Sequence, residues 1–115
     1  MSFPAPSDHA VDTSLDLNQL VKNPSATFFF RVSGDAMAAD CIHSEDLLLV
    51  DRSLDPVQGC LVVAAMEGEL LVRRVYQRDG QWRLKQPGGE SYHAGDFEVW
   101  GVVTTVIHSV LGRLS

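Results

Sequence analysis

The 115 residues carry nine Lys and Arg against fifteen Asp and Glu, a formal net charge of −6, with 45% hydrophobic and 21% charged residues. That length gives a single domain with a real core, and the composition is globular rather than disordered. So acidic a chain lacks the basic stripe that neutralises many phosphates, so direct nucleic-acid binding is not expected, and any such role would run through a partner protein.

In chain order, residues 1–15 hold Pro, Ser and Asp without periodicity and read as an extended arm, leaving residues 16–115 as the domain. The N-terminus has neither a basic segment nor a long apolar one, and no run approaches the about 20 apolar residues of a membrane span. A cytoplasmic protein without membrane contact is expected. Asp16 followed by Gln19 has capping-box spacing, and Leu17, Leu20 and Val21 give a small apolar face before Asn23-Pro24. One short helix is expected there, too short to be stable unless packed on the body.

From Ala26 onward the pattern is strand after strand: 28–32, 46–51, 61–66, 69–76, 81–85 and 97–107, rich in β-branched and aromatic residues. Glu67-Gly68 turns the third into the fourth, and Asp79-Gly80 is a type I′ hairpin signal. These elements predict a mainly β domain, partly rolled into a barrel or sandwich. Side chains alternate along a strand, so the middle ring of Phe28-Phe29-Phe30 points away from its neighbours, and Arg73 and Arg74 face opposite ways. The sequence does not say which arginine faces the body.

Cys41 and Cys60 do not make a disulfide framework. Together with His43 they would supply three metal ligands, but no second close pair accompanies them, so neither metal nor cofactor is expected. His9, His43, His93 and His108 are scattered without an evident Asp or Ser constellation. Trp82 and Trp100 read as core or interface anchors.

The stretch that organises the rest is Ser33-Gly34-Asp35-Ala36-Met37. Gly34 breaks the apolar run, Asp35 favours a turn, and Ala36 is presented just past a strand end. Such turns are common mounts for a nucleophile, because a rigid scaffold aims an exposed loop residue. Alanine offers only a methyl group.

These residues carry a resemblance. Asp16-Leu17-Asn18-Gln19-Leu20, Pro24-Ser25-Ala26-Thr27, Ser33 to Met37, Asp46-Leu47-Leu48-Leu49-Val50-Asp51, Gly68-Glu69-Leu70-Leu71-Val72 and Val99-Trp100-Gly101-Val102-Val103 are similar to UmuD segments, in family order. The chain resembles the UmuD family, the small subunit of bacterial translesion DNA polymerase V, and more distantly the C-terminal domains of LexA-type repressors. The resemblance implies a LexA/UmuD C-terminal-domain fold. In that family the turn reads Ser-Gly-Asp-Ser-Met, and its second serine is the nucleophile of a Ser–Lys dyad. The general base is a lysine on a later strand. The dyad cuts the protein's own arm, or a repressor linker, when a RecA filament on single-stranded DNA promotes it.

Carried over, the serine falls on Ala36 and the lysine on Arg73. Alanine cannot form an acyl-enzyme, and arginine stays protonated in proteins and cannot act as a base. Ser33 has no catalytic part in the family, and the only lysines, Lys22 and Lys85, lie elsewhere. The expectation is a protein that is not an enzyme, with Ser33, Gly34, Asp35 and Met37 framing a vestigial site. Arg73 would instead form a structural ion pair with an acidic neighbour. The start at Phe3-Pro4-Ala5-Pro6 resembles the stretch just after the family's cleavage point, as in the processed form. Two origins are open, a natural short homologue and a chain trimmed and altered in the laboratory.

The resemblance further implies a homodimer and a Y-family, UmuC-like polymerase partner for translesion synthesis in the SOS response to DNA damage. The resemblance places that dimer's interface on the last strand, at Phe97, Val99, Trp100, Val102, Val103 and Val106, and a dimer would suit a long apolar strand that would otherwise risk being an unprotected edge. RecA filament and a full-length UmuD-like protein are further expected partners. The alternatives are an inert dimerisation partner or modulator of an active LexA/UmuD-type protein, and an active self-cleaving serine peptidase.

Overall fold

A computed structural model describes residues 17–87, 92–93 and 96–110 of the chain. The expected arm at 1–15 and the Asp16 cap lie outside them. The expected helix is a single 3₁₀ turn at Leu17–Leu20, followed by a second at Pro24–Ala26 that begins with proline. Four residues are too few for a stable α-helix, and Asn23-Pro24 prevents extension.

The remainder is a seven-stranded antiparallel sheet: β1 (Thr27–Arg31), β2 (Leu47–Asp51), β3 (Leu61–Met66), β4 (Glu69–Arg78), β5 (Gln81–Lys85), β6 (Tyr92–His93) and β7 (Glu98–Ile107). The fold is mainly β, in keeping with the LexA/UmuD C-terminal-domain class. Both β3–β4 and β4–β5 are tight hairpins. Their turn residues Glu67, Gly68, Asp79 and Gly80 all have positive φ, the signature of type I′ turns matched to strand twist.

Strand order is β1-β2-β7-β3-β4-β5-β6. This overturns one expectation from sequence: β7 is not an edge. It pairs with β2 on one side and β3 on the other, because the last strand inserts between elements formed much earlier in the chain. Of the six side chains assigned to a dimer interface, Val102 is buried. Phe97 and Val99 pack on one core cluster, and Trp100, Val103 and Val106 on another. All six pack within the protomer, five of them while staying partly exposed, and the edge-protection argument for a partner at β7 does not hold.

The two clusters follow from period-2 alternation on β3. Val62 and Ala64 enter a cluster with Val75, Leu84 and Val102, whereas Val63 joins Met37, Ile42, Leu48 and Val50. Central strands buried on both faces explain their unbroken apolar runs. The β7 ladder slips twice, at Val63/Ala64 of β3 and at Leu49/Val50 of β2. The first slip leaves Trp100 without a partner opposite, a bulge that re-aims its side chain. Phe28 and Phe30 meet the indole edge-to-face at centroid distances of 5.1 and 5.0 Å. Arg52 lies over the same ring at 4.3 Å, and its Nε donates to the Trp100 carbonyl. Phe29 points the other way and is exposed. Among the described residues, no helix is long and apolar enough to cross a membrane.

Candidate functional site

The turn after β1 is fixed from both sides. Val32 and the segment before β2 exchange backbone bonds, Val32 N to the Asp46 carbonyl and Glu45 N to the Val32 carbonyl, each at 2.8 Å. Gly34 has φ +84°, a left-handed conformation costly for any side chain with a Cβ. Asp35 Oδ1 accepts the Ser44 amide at 3.2 Å, so Asp35 is a turn former here. Met37 is buried in the core, and its carbonyl accepts the amides of Asp40 and Ile42. Ala36 is held between a tethered carboxylate and a buried methionine, and it is exposed.

Ala36 and Arg73 line one cleft of about 220 Å³, with Ser33, Gly34 and Met37 on the turn side and residues 70–72 of β4 opposite. The two positions lie 37 residues apart in sequence, and the fold brings them to the same concavity. Arg73 is half-buried, and its Nη1 donates to the Val72 carbonyl at 2.7 Å. Burial pulls its pKa below the ordinary arginine value, but arginine begins so high that it remains a cation at neutral pH.

The ion pair expected at Arg73 belongs to Arg74 instead. Its Nε lies 2.7 Å from Asp40 Oδ1, and its Nη1 donates to the Gly59 carbonyl at 2.9 Å. Alternation separates the neighbours: Arg74 ties the turn at Ala38–Asp40 to the corner before β3, and Arg73 is left to the cleft.

A second constellation escaped the sequence. Asp46 is 1% exposed, its Oδ2 accepts the His43 amide at 2.9 Å, and its Oδ1 lies 2.5 Å from His108 Nδ1. The His43 and His108 rings are 5.4 Å apart. Burial pushes the Asp46 carboxyl up, but the His43 amide and the His108 ring outweigh it and leave the pKa below the ordinary value. Only the pattern His-x-x-Asp, typical of a side chain capping its own turn, hinted at the first of these contacts. The group pins the end of β7 to the turn before β2. Among the described residues, no group of three or more His, Cys, Asp and Glu side chains could hold a metal ion. Cys41 is exposed and Cys60 partly buried, and both are free thiols. His9 and the His93 side chain lie outside the described residues.

A peptidase S24-like family model matches residues 1–103. Protein SamA of Salmonella typhimurium is 36% identical over 108 residues, covering 92% of this chain and 77% of SamA. Protein MucA of Escherichia coli is 37% identical over 120 residues, covering 95% and 77%. The LexA repressor of Psychromonas ingrahamii is 30% identical over 107 residues, 86% of this chain and 50% of the repressor. The chain belongs to the peptidase S24-like family, in its UmuD group.

Proposed function

We propose that this protein is a non-catalytic UmuD-like accessory subunit that dimerises and binds a Y-family DNA polymerase, supporting translesion synthesis in the response to DNA damage. The observation that carries the reading is the cleft shared by Ala36 and Arg73. The nucleophile position holds a methyl group and the base position a permanent cation, so neither half of a Ser–Lys dyad can operate. The scaffold that positions them is well formed: Gly34 takes a left-handed turn and Met37 is anchored in the core. A family fold that keeps its cleft and loses its chemistry is suited to binding.

The net charge of −6 fits a subunit that grips protein rather than DNA. For a second copy, the exposed Phe28 and Phe29 of β1, an edge strand among the described residues, are further available apolar surface. The test is co-purification of the tagged chain with a UmuC-like polymerase co-expressed from the same cell, with sedimentation of the free chain alongside. A stable complex and a dimer are expected. Exclusive pairing with a full-length LexA/UmuD-type protein, with no polymerase retained, would select the modulator reading instead.

A further inference from the structure

The cleft has a charge pattern that an emptied protease site does not require. Its two charged lining residues among those described, Arg31 and Arg73, are both cationic, and no described carboxylate lines it, although acidic residues outnumber basic ones fifteen to nine in the chain. Arg31 has a long, solvent-exposed contact to Glu45 at 3.4 Å. Among the described residues Arg73 has no carboxylate partner, and its guanidinium donates to the neighbouring Val72 carbonyl. Asp35 is occupied by the Ser44 amide and Asp40 by Arg74. A half-buried guanidinium with spare donors, in a wall otherwise built of Phe30, Val32, Leu48 and Val63, is a ready partner for one carboxylate with apolar flanks.

Backbone geometry adds a second, independent feature. Residues 69–74 of β4 pair only with β3, while β5 takes up residues 75–78. Among the described residues, no strand lies on the other side of 69–74. Within the described residues the edge running past Arg73 is open, and Leu70 is exposed along it. An open edge beside a shaped pocket is the arrangement that receives an extended peptide, with main-chain bonds giving affinity and a side-chain pocket giving selection.

We infer that the cleft is a receptor for an extended segment of a partner protein, one that places an Asp or Glu side chain on Arg73 between apolar neighbours. The inference rests on the non-catalytic reading and assigns the emptied site a ligand class. Arginine at the position where the family has its base then has a use of its own: it is a fixed anionic-group anchor. A fork of donors holds a carboxylate through paired bonds, which a single ammonium does less well.

The experiment is a titration of the ¹⁵N-labelled chain with two end-blocked pentapeptides, one with glutamate between valine and leucine and one with glutamine in its place. Amide shifts are expected at residues 33–37 and 70–73, with the glutamate peptide binding roughly tenfold or more tightly, as a charge-assisted hydrogen bond implies. Arg73→Gln should abolish that preference, and Arg73→Lys should restore part of it. Spectral dispersion reports that each variant is folded. Equal affinity for the two peptides, no shifts at millimolar peptide, or a preference that survives Arg73→Gln would each overturn the inference. So would tighter, Arg73-dependent binding of a single-stranded oligonucleotide, which would make the anion a phosphate. None of these outcomes bears on whether the chain retains a polymerase or cuts a peptide bond, so the two proposals fail separately.

Discussion

Arg74 Nε lies 2.7 Å from Asp40 Oδ1, and this pair decides which of two adjacent arginines enters the cleft. Both side chains are about two-thirds or more removed from solvent, at 32% and 27% exposure, and Arg74 also bonds the Gly59 carbonyl. Arg74→Ala should therefore cost about 1–3 kcal/mol, as breaking a partly buried charged hydrogen bond does. A double-mutant cycle with Asp40→Ala should give a coupling of about 0.5–1 kcal/mol, the range for pairs that remain partly wet. Urea unfolding measures both, and a coupling near zero would mean that the pair does not anchor the turn.

Gly101 gives a sharper prediction. A Cβ built there would meet Val50 Cγ1 at 2.6 Å, and Val50 is fully buried in a central strand. The methyl has no free space, so β2 and β7 must separate or Val50 must leave its rotamer. Gly101→Ala should destabilise the fold by about 1–3 kcal/mol. The double change with Val50→Ala should recover part of the loss attributable to the clash. A lowered urea midpoint for the single variant and positive coupling in the pair are the expected readings.

Acid should loosen the same sheet. Asp51 is 3% exposed and its carboxyl is held below the usual range by the Asn23 amide and the Ser53 hydroxyl, with burial opposing and the Ser53 backbone amide adding. Asp46 is lowered as well. Folding thus weakens proton binding at both groups, so their stabilisation is complete above the unfolded carboxylate pKa of about 4 and is lost as pH falls through the lower folded-state values. Urea midpoints should be flat from pH 7 to 5 and decline below about pH 4. Asp51→Asn should be less stable at neutral pH and should show a shallower acid decline. An identical decline in the variant would remove Asp51 from this account.

Much of this architecture was legible before any coordinates, for local reasons. Leu61–Met66 falls where its apolar, valine-bearing run puts it, Gln81–Lys85 follows as the return strand of a hairpin, and Asp79-Gly80 makes the turn its dihedral preferences favour. Ala36 and Arg73, which line one cleft, could be singled out because the two positions sit in short, recognisable segments. What escaped was non-local. Apolar composition marks 97–107 as a strand but cannot say whether it lies at an edge or between neighbours, so β7 was misplaced as an edge. Alternation parts Arg73 from Arg74, yet only Asp40, 34 residues upstream, tells them apart. The Asp46–His108 contact spans 62 residues and leaves no periodic trace.

The central claim is a cleft that binds without cutting. It is tested most directly by intact-mass spectrometry of the chain mixed with a full-length UmuD-type relative whose own nucleophilic serine has been replaced by alanine. The mixture is held with RecA filament on single-stranded DNA and ATP, and both proteins are read in the same spectrum. With Ala36 at the nucleophile position and Arg73 at the base position, both masses should remain unchanged over hours, while Ala36→Ser combined with Arg73→Lys should begin to shorten the relative at its arm. Specific shortening of either protein by the unaltered chain would contradict the claim.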